Sequence, residues 1–210
     1  MKVMQCWDDS VANDRPLVEL LRKHKAKATF NVIPKGNEWL FNDVYKVKPL
    51  SNDEKLKLYK GFKVAGHGGV RLDRMPPEQM RSELRAWKEW IRDFFGQEEC
   101  GLAYPGGAFN EEIMEEVRKA GYRYARTTKN VDGDLPLDSP MALPSQCHFL
   151  SPDFWRKFKE VKAVDGVFYF WGHSYELMDD RKLWNGFEEK LARISSEPQV
   201  EWIDIIDLFV

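Results

Sequence analysis

Apolar, aromatic-rich runs alternate with amphipathic helical patterns along the whole chain, and this alternation restricts the fold more than any other feature. "KVMQCW" precedes the helical "DRPLVELLRKHK". "KATFNVIP" precedes an irregular stretch and a short helix around "SNDEKLKLY". "FKVAGHG" leads into "PPEQMRSELRAWKEWIRDFFG", where Met80, Leu84, Trp87, Ile91 and Phe94 recur at three- and four-residue steps, with Pro77 at the start and Gly96 at the end. "CGLAYPGG" leads into "NEEIMEEVRKAG". "YRYARTT", "MALPSQ", the helical "PDFWRKFKEVKA", "VFYFWGHS", the helical "WNGFEEKLARISS" and a last strand "EWIDIID" complete the series. Strand and helix alternating at this spacing predict one α/β domain over residues 1–210, with a mainly parallel sheet of about seven strands. Periodicity fits an open sheet and a barrel equally.

The polar residues are not scattered. Asp8 and Asp9 end the first strand, Asn31 lies late in the second and His67 ends the third. Pro105, Gly106 and Gly107 end the next, and His173 ends a later one. In parallel α/β folds the C-terminal strand ends converge on one rim, where active sites form. Helix capping by Asp9, Ser10 or Asn13 explains the first cluster alone. It does not explain five placements on the same rim.

Charge and cysteine content narrow the partners. Lysine plus arginine (32) nearly balances aspartate plus glutamate (34), which leaves no electrostatic footprint for nucleic acid and no basic face for a membrane. Cys6, Cys100 and Cys147 lack zinc-type spacing, and their odd number suggests reduced thiols. With Met1 running straight into a strand, the expected setting is cytoplasmic. Eight Trp, seven Tyr and thirteen Phe fill a core in most positions, but flat rings also stack on sugars.

Among the histidines, His24 sits at a basic helix end and suits the negative pole of the helix dipole. His67, His148 and His173 lie next to strand ends and are the candidates for chemistry. Cys147 adjoins His148, but neighbours on a strand point to opposite faces, so the two do not form a nucleophile–base pair. "GHGGVR" lacks the Lys-Ser/Thr of a phosphate-binding loop. The acidic "DGDLPLD" reads as a solvated loop.

The ordered set of motifs resembles one family, the polysaccharide deacetylases (nodulation-protein B homology, carbohydrate esterase family four). "CWDDS" resembles its Thr-Phe-Asp-Asp-Gly motif and "KATFNVIP" the Ala-Thr-Phe-Phe strand after it. "VAGHGGVRLDRMPPEQMRSEL" resembles the His-x-x-x-His region, and "LAYPGGAFNEE" the Arg-x-Pro-x-Gly motif. "GYRYARTT" resembles the following strand. "FYFWGHSYEL" resembles the Leu-x-His motif in the form of one bacterial branch, and "PSQCHF" a Cys-His-His stretch of that branch. The resemblance implies a distorted (β/α) barrel and metal-assisted hydrolysis of a C–N bond, the removal of N-acetyl groups from a sugar or polysaccharide. It also implies roles: Asp8 the general base, Asp9 and His67 metal ligands, His173 the general acid. The implied cofactor is a divalent metal, zinc first, with cobalt, nickel or iron as alternatives. A metal acidifies water and polarises a carbonyl, a carboxylate beside it takes a proton, and a histidine returns one. The backbone at Gly106 and Gly107 is a candidate oxyanion cradle, and Tyr104, Trp171 and Tyr175 are candidates to border a carbohydrate or small amide substrate.

Three positions depart from the pattern. Arg71 stands where the second histidine ligand is expected, and a guanidinium does not ligate metals. Ala103 stands where an arginine holds the base, and Ser10 replaces a glycine. Three expectations follow. His148 completes the ligand set with Asp9 and His67, or the metal is held by two side chains and water, or Arg71 pairs with Asp8 or Asp9 and supplies positive charge itself. The last would suit a metal-independent cyclic amide hydrolase of this fold, or a catalytically inactive carbohydrate-binding protein.

Overall fold

The computed structural model describes residues 1–209. Its strands are β1 (Lys2–Asp8), β2 (Thr29–Val32), β3 (Trp39–Phe41), β4 (Tyr45–Val47), β5 (Lys63–Gly66), β6 (Leu102–Ala103), β7 (Ala125–Asn130), β8 (Leu143–Ser145), β9 (Cys147–His148), β10 (Val167–Gly172) and β11 (Glu201–Trp202). The α-helices are α1 (Asp14–Lys23), α2 (Asn52–Leu58), α3 (Pro77–Phe95), α4 (Glu111–Lys119), α5 (Phe154–Ala163) and α6 (Arg181–Ser195). Among these, no helix is long and apolar enough to cross a membrane.

The main sheet runs β8-β7-β6-β5-β2-β1-β10-β9, with every pair parallel and β11 added beside β1. Its two ends are consecutive pieces of one extended segment. Leu143–Ser145 pairs with β7, and Cys147–His148 pairs with β10. Gln146 makes the hand-over: its backbone N–H donates to Tyr169 O (2.9 Å), its side-chain oxygen accepts from Tyr169 N–H (2.7 Å), and its amide nitrogen donates to Gly133 O (3.0 Å) and Val167 O (3.1 Å). Counting that segment once gives a nearly closed, distorted (β/α) barrel of seven parallel strands.

Strand parity sorts the side chains. In β1, Val3 and Trp7 face the helices and join the large outer cluster with Leu17, Phe30, Phe168 and Phe170. Met4 and Cys6 face inward and pack with Tyr124, Leu143, Tyr169, Ile203 and Ile205. The inward-facing series continue upward to Asp8 from Cys6, to Arg126 from Tyr124 and to Trp171 from Tyr169. A barrel this narrow is filled by side chains, and the charged groups among them gather at the C-terminal mouth.

Two local expectations change. The irregular stretch after β2 contains an antiparallel hairpin, β3–β4, whose turn residues Asn42 and Asp43 both have positive φ (51° and 59°). The Val44 N–H donates to Phe41 O (3.3 Å), so Asn42 and Asp43 are the central residues of a tight turn inside a three-residue loop, and Asn and Asp tolerate positive φ best after glycine. The last strand shrinks to Glu201–Trp202, because the chain then turns into a 3-10 helix at Ile205–Leu208 whose isoleucines close the barrel floor. Helix α3 follows its pattern: Met80, Leu84, Trp87 and Ile91 are buried, and Gly96 ends it in the left-handed region (φ 67°). All three cysteines are buried free thiols.

Candidate active site

Strand parity sends Asp8 into the barrel. The chain then turns sharply: Asp9 has φ 80° and Ser10 φ 53°, both left-handed. A continuing strand would point Asp9 outward, and the turn brings it back to the mouth. Ser10 holds its own conformation by accepting the Ile33 N–H on Oγ (3.0 Å), so a side chain is tolerated where glycine would be free of strain.

Asp8 is buried (2 % exposed) and fully engaged. Asn31 Nδ2 donates to Oδ1 at 2.7 Å, and Arg126 Nη2 donates to both carboxylate oxygens, 2.5 Å from Oδ1. Burial opposes ionisation of Asp8, but the Arg126 charge outweighs it. With His67 and His173 adding to the effect, the pKa falls well below the ordinary carboxylate range. Arg126 is itself buried, with the Trp171 ring 4.7 Å from its guanidinium carbon. In the sheet register Arg126 lies directly beside Ala103. The guanidinium expected on β6 is therefore supplied by β7, one strand over at the same height.

His67 presents the next polar atoms. Its Nδ1–H donates to Ala103 O (3.0 Å), which leaves Nε2 facing the carboxylates, 3.4 Å from Asp9 Oδ1 and 3.9 Å from Asp8 Oδ2. Burial would lower the His67 pKa, and the two aspartates more than reverse this. An imidazole with Nδ1–H held by the Ala103 carbonyl and Nε2 turned to a carboxylate is a donor pair suited to a divalent cation, which displaces the Nε2 proton when it binds. These two side chains fit the metal implied by the family pattern.

The expected further partners lie elsewhere. Arg71 makes no pair with Asp8 or Asp9. It pairs with Asp73 at 2.7 Å, is 40 % exposed, and its stem lies across Gly106, where an added Cβ would come within 3.0 Å of Arg71 Cγ. His148 is grouped with Glu176 and His173, not with Asp9 and His67. The Leu150 N–H donates to His148 Nδ1 (3.3 Å), so the ring proton sits on Nε2, and Nε2 lies 2.8 Å from Glu176 Oε2. A nitrogen that carries its proton toward a carboxylate has no lone pair for a metal. His148, Glu176 and His173 are close enough to one another to hold an ion, and the two imidazoles flank one carboxylate oxygen.

Glu176 is a functional candidate that lies inside the "FYFWGHSYEL" motif, three residues after His173, but is not singled out there. Its Oε2 accepts the His173 backbone N–H (3.1 Å) and lies 3.4 Å from His173 Nδ1. Burial would raise its pKa, but the hydrogen bonds from His148 and His173 bring it to about 2. The other ring nitrogen of His173, Nε2, lies 3.8 Å from Asp8 Oδ2 and 3.9 Å from Asp9 Oδ2. Burial disfavours the imidazolium, and Glu176, Asp8 and Asp9 together raise the His173 pKa despite it.

A cleft of about 340 Å³ opens from Asp9, bordered by Ile33, Lys35, Trp39, Gly69 and Tyr175. Tyr175 packs edge-on against Trp39 (5.5 Å) and Phe41 (5.1 Å), so the hairpin forms one wall. Tyr45 ties the hairpin to Asn13 (2.8 Å) and Asp179 (3.0 Å). Trp171 sits deeper, between Arg126, His148 and His173. Tyr104 faces away from this cleft: its hydroxyl donates to Met141 O (2.7 Å). The Gly107 N–H is spent on Tyr104 O (2.9 Å), which leaves Gly106 as the loop's candidate oxyanion donor.

Comparison with known proteins bears on the family and the fold. The family model for polysaccharide deacetylase matches residues 1–125. YxkH of Bacillus subtilis (strain 168), whose name places it in the same family, is 26 % identical over 130 residues, 60 % of this chain. The chain spans less than half of YxkH, 44 % of its length. The family 4 carbohydrate esterase from Streptomyces lividans, solved in complex with acetate, superposes with a TM-score of 0.59 at 14 % identity, covering 95 % of this chain and 90 % of that one. The 4-alpha-glucanotransferase from Thermococcus litoralis superposes with a TM-score of 0.69 at 12 % identity, covering 99 % of this chain and 40 % of that one. The barrel therefore serves more than one chemistry, and a reaction has to be argued from the mouth. With the family model matching over half its length and a double-aspartate strand end at the barrel mouth, the chain belongs to the polysaccharide deacetylase family.

Proposed function

We propose that the protein hydrolyses the amide of an N-acetylated sugar, releasing acetate and a free amine. The observation that carries this reading is the placement of Asp8, Asp9, His67 and His173 around one point at the mouth of the cleft. Asp9 and His67 are the residues that would hold a divalent cation, zinc being the first choice for a carboxylate–imidazole pair. Such a cation, when bound, supplies Lewis acidity to the amide carbonyl and makes water easier to deprotonate.

The protein's own groups divide the remaining work. Asp8, kept ionised by Arg126, takes the proton of the attacking water as its oxygen adds to the carbonyl carbon. The Gly106 N–H is the candidate donor to the developing oxyanion, since the Gly107 N–H is already used by Tyr104 O. His173, whose pKa is raised, gives its Nε2 proton to the leaving nitrogen as the C–N bond breaks. The aromatic wall of Trp39 and Tyr175 offers a sugar ring an apolar surface beside Asp9.

The test is acetate release from N-acetylglucosamine oligomers by protein supplied with zinc or cobalt, compared with Asp8→Asn. Loss of at least about 100-fold in kcat, with an unchanged circular dichroism spectrum, is expected on removal of the base. No acetate from the unaltered protein, or full activity in Asp8→Asn, would refute the reading.

A further inference from the structure

His148 is half-buried, its side chain 24 % exposed, and it approaches the site only through Glu176. One hydrogen bond and one ion-pair contact define its surroundings. The Leu150 N–H occupies Nδ1, the ring proton is therefore on Nε2, and Nε2 lies 2.8 Å from Glu176 Oε2. The same oxygen accepts the His173 backbone N–H (3.1 Å) and lies 3.4 Å from His173 Nδ1, a buried ring nitrogen with no hydrogen-bond partner among the described residues. An ionised carboxylate accepts only, so the ring nitrogen facing it is favoured as an N–H. The His173 ring then turns Nε2, its exchangeable position, toward Asp8 and Asp9. Trp171 packs edge-on against both imidazoles, at 4.9 Å and 5.5 Å, and limits their rotation.

We propose that His148 is a positioning residue for His173: by donating to Glu176 it holds that carboxylate on His173 Nδ1 and so selects the tautomer that presents Nε2 to the reaction. This rests on the proposed role of His173 and assigns His148 a part in it that requires no metal. Without the His148 donor, Glu176 Oε2 keeps only the backbone N–H and the longer Nδ1 contact, and the carboxylate is free to rotate toward solvent.

The test reads ring nitrogens directly. Long-range ¹H–¹⁵N spectra of metal-free protein at neutral pH should show His148 as the Nε2–H tautomer and His173 with its proton retained at Nδ1. In His148→Ala the His173 signature should become an average of both tautomers. The kcat for acetate release should fall about 10-fold or more with KM within about twofold, the scale on which outer partners of a functional histidine act. His148→Gln, which keeps an N–H donor at similar reach, should restore both. An Nδ1–H tautomer at His148, a His148 Nε2 shift on zinc titration typical of a ligand, or an unchanged His173 signature in His148→Ala would overturn the proposal. The nitrogen spectra need no turnover. Absence of acetate release would therefore sink the deacetylase reading alone, while the spectra still decide the role of His148.

Discussion

Replacing Arg126 by methionine isolates the interaction on which the site most depends. Asp8 and Arg126 side chains are 3 % and 2 % exposed, and among the described residues the only other side-chain hydrogen bond to Asp8 comes from Asn31. Methionine fills much of the arginine stem's volume, so the loss is chiefly electrostatic. Leaving one partner of a buried pair costs about 3–5 kcal/mol. With a urea m-value of about 2 kcal/mol/M, a loss of about 4 kcal/mol lowers the unfolding midpoint by about 2 M. The pH dependence has a definite sign. In the unaltered protein the depressed Asp8 pKa contributes stability that is complete above about pH 4 and is lost as pH falls through the folded value. In Arg126→Met, burial without the guanidinium raises the Asp8 pKa, so the penalty grows as pH rises above about 4 and vanishes below it. Urea melts at pH 4 and pH 7, with Asp8→Asn/Arg126→Met as the partner variant, check this. The double variant should be more stable than Arg126→Met at pH 7 and equal to it near pH 4. A loss under about 1 kcal/mol, or a double variant no better than the single, would refute the view that Arg126 exists to hold an ionised Asp8.

Further outcomes follow from the same geometry. His67→Ala should weaken zinc binding at least about 10-fold in titration calorimetry, since it removes one of two protein donors, whereas His148→Ala should leave the affinity within about twofold. Trp39→Ala should raise KM for an N-acetylglucosamine oligomer by about 10-fold with little change in kcat, because the ring borders the cleft without reaching Asp8. Gly172→Ala should cost about 3 kcal/mol or more in urea unfolding, because its Cβ would sit 2.1 Å from the buried Phe149 ring. The stability difference between the unaltered protein and Glu176→Gln should be complete above about pH 4.3 and shrink as pH falls toward 2, the sign for a carboxylate whose folded pKa is lowered to about 2.

Much of the architecture is legible in the amino-acid order because strand parity and strand-end polarity are local properties. Asp8, His67 and His173 can be placed on one rim from alternation alone. Arg126 could have been found the same way, since it follows Tyr124 by two residues on an inward-facing series, but "YRYARTT" offers no motif to prompt the count. The β3–β4 hairpin hid behind a turn made of Asn and Asp without glycine. Arg71 and His148 sit apart from Asp9 and His67 for a different reason. Arg71 is turned aside by a carboxylate two residues on, and the tautomer of His148 is set by the Leu150 backbone N–H, a group present at almost every position and visible only once the chain has folded.

The seam at Gln146 has a mechanical consequence for the chemistry. Arg126 comes from β7 and His173 follows β10, and these are the two strands that the Leu143–His148 segment stitches together. The two flanks of Asp8 are thus joined across the last closure of the ring. Any opening of that stitch would part the guanidinium from the imidazole before it disturbed β1, β2 or β5. Integrity of the ring and competence of the site are then one event, and amide hydrogen exchange at Gln146 and Val131, which donate across the seam, would report both.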